Sequence, residues 1–390
     1  MINDVIKTIY LFVFKFVFTV YNFLPLQRKI VMYVTFRQNA YYITKELQKR
    51  NDSMQVILIC NKASFKRLQH FKDNRIQLIS LEDKRQFFKR IYHLATSKIV
   101  IVDNYFPFLA VTNFNEKAEC IQIWHAAGAI KSFGLEANNT FTRSKNSIKR
   151  FHHVYRRFDK ILVGSDEMAS VFKRAFGLKK DVFLRTGIPR TDLFYSAVEK
   201  EEIRASFFRK YPQSIDKKII LYAPTFRDHS DHKINLDIPF IQRELGDEYL
   251  FIIKCHPVTK QSVILPDQSN NSFLVIDGTY DVNELLQVAD TLITDYSSIP
   301  FEYCLLEKPM IFFAYDLDEY KKERGIWTNY EELVPGPVVV DTESLIIKIK
   351  EIEHTYSSDR INQFSETWNK YSKGKSAENF VNYLMKKLRY

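Results

Sequence analysis

Residues 294–309 read TDYSSIPFEYCLLEKP, and this stretch decides the fold. The apolar run TLIT at 291–294 ends at Asp295, Asp-Tyr-Ser-Ser turns the chain, and IPFEYCLL continues as a helix. A strand that feeds a helix in this way is half of a βα unit. The same grammar recurs outward in both directions. KIVMYVTF, QVILIC, IQLIS, KIVIVD, CIQIW and KILVGS fill the first half of the chain. KIILYAPT, YLFIIKCHP, FLVIDG, TLITDYSS, PMIFFAYD and PVVVDT fill the second. Runs that are apolar throughout suit strands buried on both faces, and segments such as DEMASVFKRAF and DVNELLQVAD carry helical spacing. Two doubly wound α/β domains follow, at 26–195 and 196–390, joined near 187–217, with ENFVNYLMKKLRY as a closing C-terminal helix of the second. In such folds the working groups sit at strand C-terminal ends, here expected to face a central crevice.

With 390 residues and 46% hydrophobic composition the chain has mass for two cores. Its four cysteines are widely spaced and form no CxxC, which fits a reducing compartment better than a disulfide framework or zinc site. A net charge of +11 asks for an anionic partner: phosphorylated substrate, anionic lipid or nucleic acid. No RNA- or DNA-binding motif accompanies that charge, so nucleic acid is not expected. Residues 5–24, VIKTIYLFVFKFVFTVYNFL, are long enough to span a bilayer, but Lys15 sits mid-segment. On a helical wheel Asp4, Lys7, Thr8, Lys15, Thr19 and Asn22 share one stripe. The expectation is an amphipathic helix over 1–25 that lies in the membrane surface.

At the strand ends, Ser297 and Ser298 offer a helix cap and hydroxyls for a phosphate, with Asp295 before them and Glu302 one turn on, in reach of a ribose or alcohol. In KCHP, Lys254 and His256 offer cations for a pyrophosphate. In YAPTFRD, Arg227 offers a guanidinium fork. WHAAG places His125 after CIQIW, with Ala126, Ala127 and Gly128 small enough to leave room for a hydroxyl. Arg190 and Asp192 in RTGIPRTDLF read as hinge residues. TRSKNSIKRFHHVYRRFDK at 142–160 interleaves basic residues, among them Lys149, Arg150, Arg156 and Arg157, with aromatics, a pattern for an anionic lipid head or pyrophosphate. No GxGxxG, GxxxxGK[ST], HExxH or GxSxG occurs, so the dinucleotide, P-loop, zincin and nucleophile-elbow chemistries are set aside.

As a set, WHAAGAIKSFG, GSDEMASVFKRAFG, TGIPRTDLF, YAPTFRD, KCHP, TDYSSIPFEYCLLEKPMIFFAYDLDEY, RGIW, PGP and WNKYSKGKSAENFVNYL resemble the CDP-glycerol glycerophosphotransferases that build teichoic acids. The likeness runs in order over roughly residues 95–390. WHAAG, where the polymerase branch shows WHG, is most like the primase branch. The resemblance implies a GT-B-like fold and a metal-independent, inverting transfer without a cofactor. Glycerol phosphate would move from CDP-glycerol to an undecaprenyl-diphosphate-linked N-acetylmannosaminyl-N-acetylglucosamine, releasing CMP. It implies His125 as base, and His256, Arg227, Lys254, Asp295, Ser297, Ser298 and Glu302 on the donor. Gly128 and the 142–160 cations would serve acceptor or lipid. A polymerase or ribitol-phosphate transferase of the family is the alternative, and nucleotide-sugar glycosyltransfer a more distant one. A cytosolic donor and a membrane-borne acceptor place the protein peripherally on the cytoplasmic face of the cell membrane, with other teichoic acid enzymes as further partners.

Overall fold

The computed structural model describes residues 2–71, 73–138, 140, 143–225, 227, 235–246, 248–254, 272–276 and 280–389. His256, and Asp277 and Gly278 that end the run FLVIDG, lie outside the described residues.

The chain divides into two compact units. The first carries seven strands: β1 (Gln27–Val34), β2 (Gln55–Cys60), β3 (Ile76–Ser80), β4 (Ser97–Val102), β5 (Glu119–Gln122), β6 (Lys160–Leu162) and β7 (Phe183–Leu184). They pair in parallel in the order β3-β2-β1-β4-β5-β6-β7. The second carries β8 (Lys218–Ala223), β9 (Tyr249–Lys254), β10 (Phe273–Ile276), β11 (Thr291–Thr294), β12 (Met310–Phe313) and β13 (Val338–Val339). These are also parallel, in the order β10-β9-β8-β11-β12-β13. In each sheet the strand order reverses once, between β1 and β4 and between β8 and β11. Those are the topological switch points where doubly wound sheets bind ligands beyond the strand C-termini.

The apolar runs are strands because both faces are covered: Ile30 to Val34 are buried in succession, as are Ile219 to Ala223. The second core gathers Ile220, Tyr222, Phe251, Ile253, Ile293, Ile311 and Phe313 from the sheet with Ile241, Leu245, Leu345 and Ile349 from flanking helices. Strand β7 has no counterpart among the apolar runs of the sequence. It is two residues long at a sheet edge and carries too little pattern to read.

The chain crosses between units more often than a single linker would allow. Unit 1 holds residues 1–127, 133–192 and 369–390, and unit 2 holds 128–132 and 193–368. The C-terminal helix Ser376–Arg389, expected to close the second domain, therefore belongs to the first. It packs on the helix Arg37–Gln48 and on β4. Asp192 fixes it there, accepting from the N–H groups of Ser376 (2.9 Å) and Ala377 (2.8 Å) as a capping carboxylate. The expected hinge residue is thus a tie within unit 1.

The N-terminal helix Ile2–Tyr21 is likewise docked on unit 1, by one face. Phe14 and Phe18 are buried, with Phe14 stacked on Phe108 at 5.1 Å and Phe18 edge-on to Phe114 at 5.5 Å. Ile6, Ile9, Phe12, Val13, Phe16 and Val20 remain exposed, Phe12 at 72% and Phe16 at 67%. Among the described residues no helix is long and apolar enough to cross a membrane.

Candidate active site

In unit 1 the candidate residues gather at the β1/β4 switch point. Asp103, just past β4, is fully buried. Its carboxylate accepts from the N–H of Thr35 (2.7 Å), the N–H of Phe36 (2.6 Å) and the Thr35 hydroxyl (2.8 Å), all at the end of β1. Burial pushes its carboxyl up to about 7, against three hydrogen bonds that favour the ionised form.

The backbone carbonyl of Asp103 pairs with Nδ1 of His125 at 2.9 Å. A carbonyl can only accept, so Nδ1 carries the proton and Nε2 keeps its lone pair. The rings of Phe36 and Trp124 stack on the imidazole at 4.2 and 4.3 Å. Desolvation, with a smaller contribution from the Arg190 charge, lowers the His125 pKa to about 4 against the Asp103 hydrogen bond. The imidazole is therefore neutral near pH 7 with a fixed tautomer, the state a general base requires.

Sequence reading missed what holds this ring in place. Trp124 has φ +51°, a left-handed backbone that a bulky side chain rarely adopts. Its N–H donates to Gln122 Oε1 (2.8 Å), and its ring stacks on Phe133 at 4.9 Å. The buried Asn39 completes the clamp. Its amide nitrogen donates to the carbonyls of Trp124 (3.0 Å) and Ile123 (3.3 Å), while its oxygen accepts from the Arg190 N–H (3.1 Å). Asn39 lies in the first turn of the helix after β1, and a polar residue in a helix's first turn is too common to stand out in a sequence.

In unit 2 the β8/β11 switch point is built around Arg227, and it corrects the expected phosphate fork. The Arg227 guanidinium is spent on protein partners: Nε and Nη2 donate to Asp316 (2.7 and 2.9 Å), Nη1 to the Thr225 carbonyl (2.6 Å), and Nη2 lies 3.0 Å from Asp295 Oδ2. Tyr296 and Tyr320 pack on it as π faces at 5.0 and 4.8 Å. The carboxylates raise its pKa further despite burial. Asp295 is committed too: its Oδ1 accepts from the N–H groups of Thr225 (2.8 Å) and Tyr296 (2.7 Å). These two residues brace the strand ends.

Ser297 and Ser298 remain half-buried beyond β11. Ser297 Oγ accepts from the Ile299 N–H at 3.2 Å, but the helix Pro300–Tyr303 has Ile299 at its N-cap and no side-chain cap bond. It is one turn long and continues as 3-10 helix Cys304–Leu306, so it carries little of a full helix's dipole. Glu302 is 2% exposed, which turns it away from a solvent-borne ribose. Lys254 closes β9, beside Ile276 of β10.

Gly128 also differs from expectation. A Cβ there would lie 2.2 Å from the Phe301 ring, which itself packs on Phe364 and Trp368. The glycine admits a ring against the backbone and leaves no space for a hydroxyl. Among the 142–160 cations, Lys149 and Arg156 are exposed, Arg157 donates to Asn113 Oδ1 (3.3 Å), and Arg150 donates to Ser147 Oγ (3.4 Å). The described residues contain no group of three or more His, Cys, Asp and Glu side chains arranged to hold a metal ion.

Two doubly wound parallel units with polar machinery at their switch points define a GT-B-like α/β protein. Residues 16–386 match the CDP-Glycerol:Poly(glycerophosphate) glycerophosphotransferase family, and the chain belongs to that family. It is 38% identical over 382 residues to a Teichoic acid glycerol-phosphate primase of Bacillus spizizenii, covering 97% of each chain. It is 36% identical over 362 residues to a Teichoic acid glycerol-phosphate primase of Bacillus subtilis, covering 92% of each. Its fold is similar to that of the Wall Teichoic Acid Polymerase TagF, at TM-score 0.80 and 23% identity, over 98% of this chain and 96% of that one. A variant of TagF has also been solved with CDPG. The chain is an enzyme, a glycerophosphotransferase.

Proposed function

We propose that this enzyme primes teichoic acid synthesis by moving one glycerol phosphate from CDP-glycerol to a membrane-borne, undecaprenyl-diphosphate-linked disaccharide. The observation that carries the mechanism is the His125 tautomer. With Nδ1–H given to the Asp103 carbonyl, Nε2 is the atom that takes the proton from the acceptor hydroxyl. The hydroxyl oxygen then bonds to the β-phosphorus, the bond from that phosphorus to the bridging oxygen breaks in line, and CMP leaves with the electron pair. Lys254, His256 and the Ser297/Ser298 turn neutralise the donor phosphates in this reading, and Arg227 and Asp295 position that turn rather than touch substrate. The relatives named glycerol-phosphate primases support priming, and the family's name supports the donor.

The protein works as a peripheral membrane enzyme on the cytoplasmic side, held by the exposed apolar face of its N-terminal helix. The transfer needs no metal ion, so its rate is expected to be unchanged in excess chelator. A rate lost to EDTA and restored by Mg²⁺ would refute that part.

The test of function is CMP release measured with donor and acceptor supplied separately and together. Release is expected from CDP-glycerol only when the lipid-linked disaccharide is present. Equal turnover without acceptor, or preference for a UDP-sugar, would overturn the reading.

A further inference from the structure

Unit 1 contains a cavity of about 480 Å³ that the transfer chemistry above does not use. The N-terminal helix forms one wall with Lys7 and Tyr10, the segment after β4 contributes Tyr105, and Arg143, Arg150 and Phe151 close it from the helix Lys145–Tyr155 and its lead-in. Among the described lining residues three are cations and none is acidic. Arg143 lies over the Phe151 ring at 4.4 Å, and that ring stacks on Tyr105 at 4.5 Å. The Tyr105 hydroxyl is shielded from solvent, and among the described residues its polar neighbour is the Arg150 guanidinium. Cationic donors over an aromatic floor suit a phosphate whose ester carries an apolar group.

What adjoins the cavity says where such a phosphate comes from. Tyr10 lines it and is 44% exposed on the helix whose Ile6, Ile9, Val13 and Phe16 also face outward. A free phosphate has no use for that apolar strip, whereas a lipid places its head among the cations and its chain along the helix. The geometry points to a phosphate-headgroup site for a membrane lipid, formed by Lys7, Arg143, Arg150 and Tyr105. This inference rests on the peripheral-membrane reading and adds a defined pocket to it.

Vesicle co-sedimentation of the full chain tests it, using phosphatidylglycerol mixed into phosphatidylcholine against phosphatidylcholine alone. Arg143→Gln/Arg150→Gln is expected to weaken binding to the anionic vesicles by about thirtyfold, roughly five- to sixfold per lost charge. The exposed Lys179 and Lys180 provide a control with the same change in net charge. Neither residue lines the cavity or belongs to the N-terminal helix, so Lys179→Gln/Lys180→Gln is expected to change binding by less than about threefold. Inorganic phosphate at millimolar concentration should not displace the wild type. Arg150→Gln alone, which removes one hydrogen bond to Ser147, keeps the test sound if the double variant melts early.

Equal losses in the two double variants would mean diffuse charge and no site. Wild-type binding by both arginine variants, or full displacement by inorganic phosphate, would equally overturn the lipid pocket while sparing the membrane reading. A wild type that bound no vesicle at all would remove both.

Discussion

Nδ1 of His125 donates to the Asp103 carbonyl, and the ring's pKa is lowered to about 4. A base with that value is already deprotonated from pH 8 down to pH 5, so His125 itself should cost activity only as pH approaches 4, when a proton fills Nε2. The Asp103 carboxyl, pushed up to about 7, titrates inside that range, so the check is the NMR titration of the His125 ring itself: an inflection near 6.5 contradicts the buried neutral imidazole. Replacing His125 by Ala is expected to cost about 100-fold or more in kcat while the fold is kept, as for a general base. Circular dichroism and steady-state CMP release on the same preparation check both halves of that statement. Asn39→Ala frees two carbonyls and relaxes the left-handed backbone at Trp124. It should lower kcat with little change in the KM for CDP-glycerol, because it moves the base and leaves the donor's contacts alone. The candidate base was legible in WHAAG, where an ionisable ring follows an apolar strand. Its clamp was not, because Asn39, Gln122 and Arg190 meet only in three dimensions. Arg227 shows the same limit from the other side. YAPTFRD shows a guanidinium that looks open to a phosphate, whereas Asp295 and Asp316 arrive from later elements and take it up.

The strands were the most legible elements. An all-apolar run of β-branched residues bounded by turn residues has few alternatives, and the runs read from the sequence became β1–β6 and β8–β13. Contacts between distant elements were not legible. Gly128 looked like room for a substrate, yet it is a seat for Phe301. Gly128→Ala should therefore destabilise unit 2 by about 1–3 kcal/mol through overpacking, seen as a drop of several degrees in Tm by calorimetry. An unchanged Tm would mean that the Phe301 ring has somewhere else to go. The N-terminal helix makes a second element-scale prediction. Its inner face, Phe14 and Phe18, belongs to the core, so deleting the helix would confound anchoring with folding. Phe12→Ser/Phe16→Ser alters only the exposed face, each Phe offering roughly 1.5–3 kcal/mol of burial to a membrane. The variant should move from the membrane to the soluble fraction with its melting temperature kept. A variant that still sediments with membranes would show that the helix is not the anchor.

At the scale of the whole molecule, two sheets of the same design carry different chemistry at equivalent points. The β1/β4 switch point presents a neutral imidazole and a buried carboxyl. The β8/β11 switch point presents a braced arginine–carboxylate cluster with the Ser297/Ser298 turn beside it. In the proposed mechanism the first supplies the base and the second holds the donor phosphates. Family membership fixes the reaction class, and the primase-named relatives direct attention to how many units are added. The most direct measurement is the mass of the product formed from CDP-glycerol in excess over the undecaprenyl-diphosphate-linked disaccharide. The account predicts a gain of one glycerol phosphate per acceptor, with one CMP released for each. A ladder of products, or an acceptor that gains nothing while the donor is consumed, would contradict it.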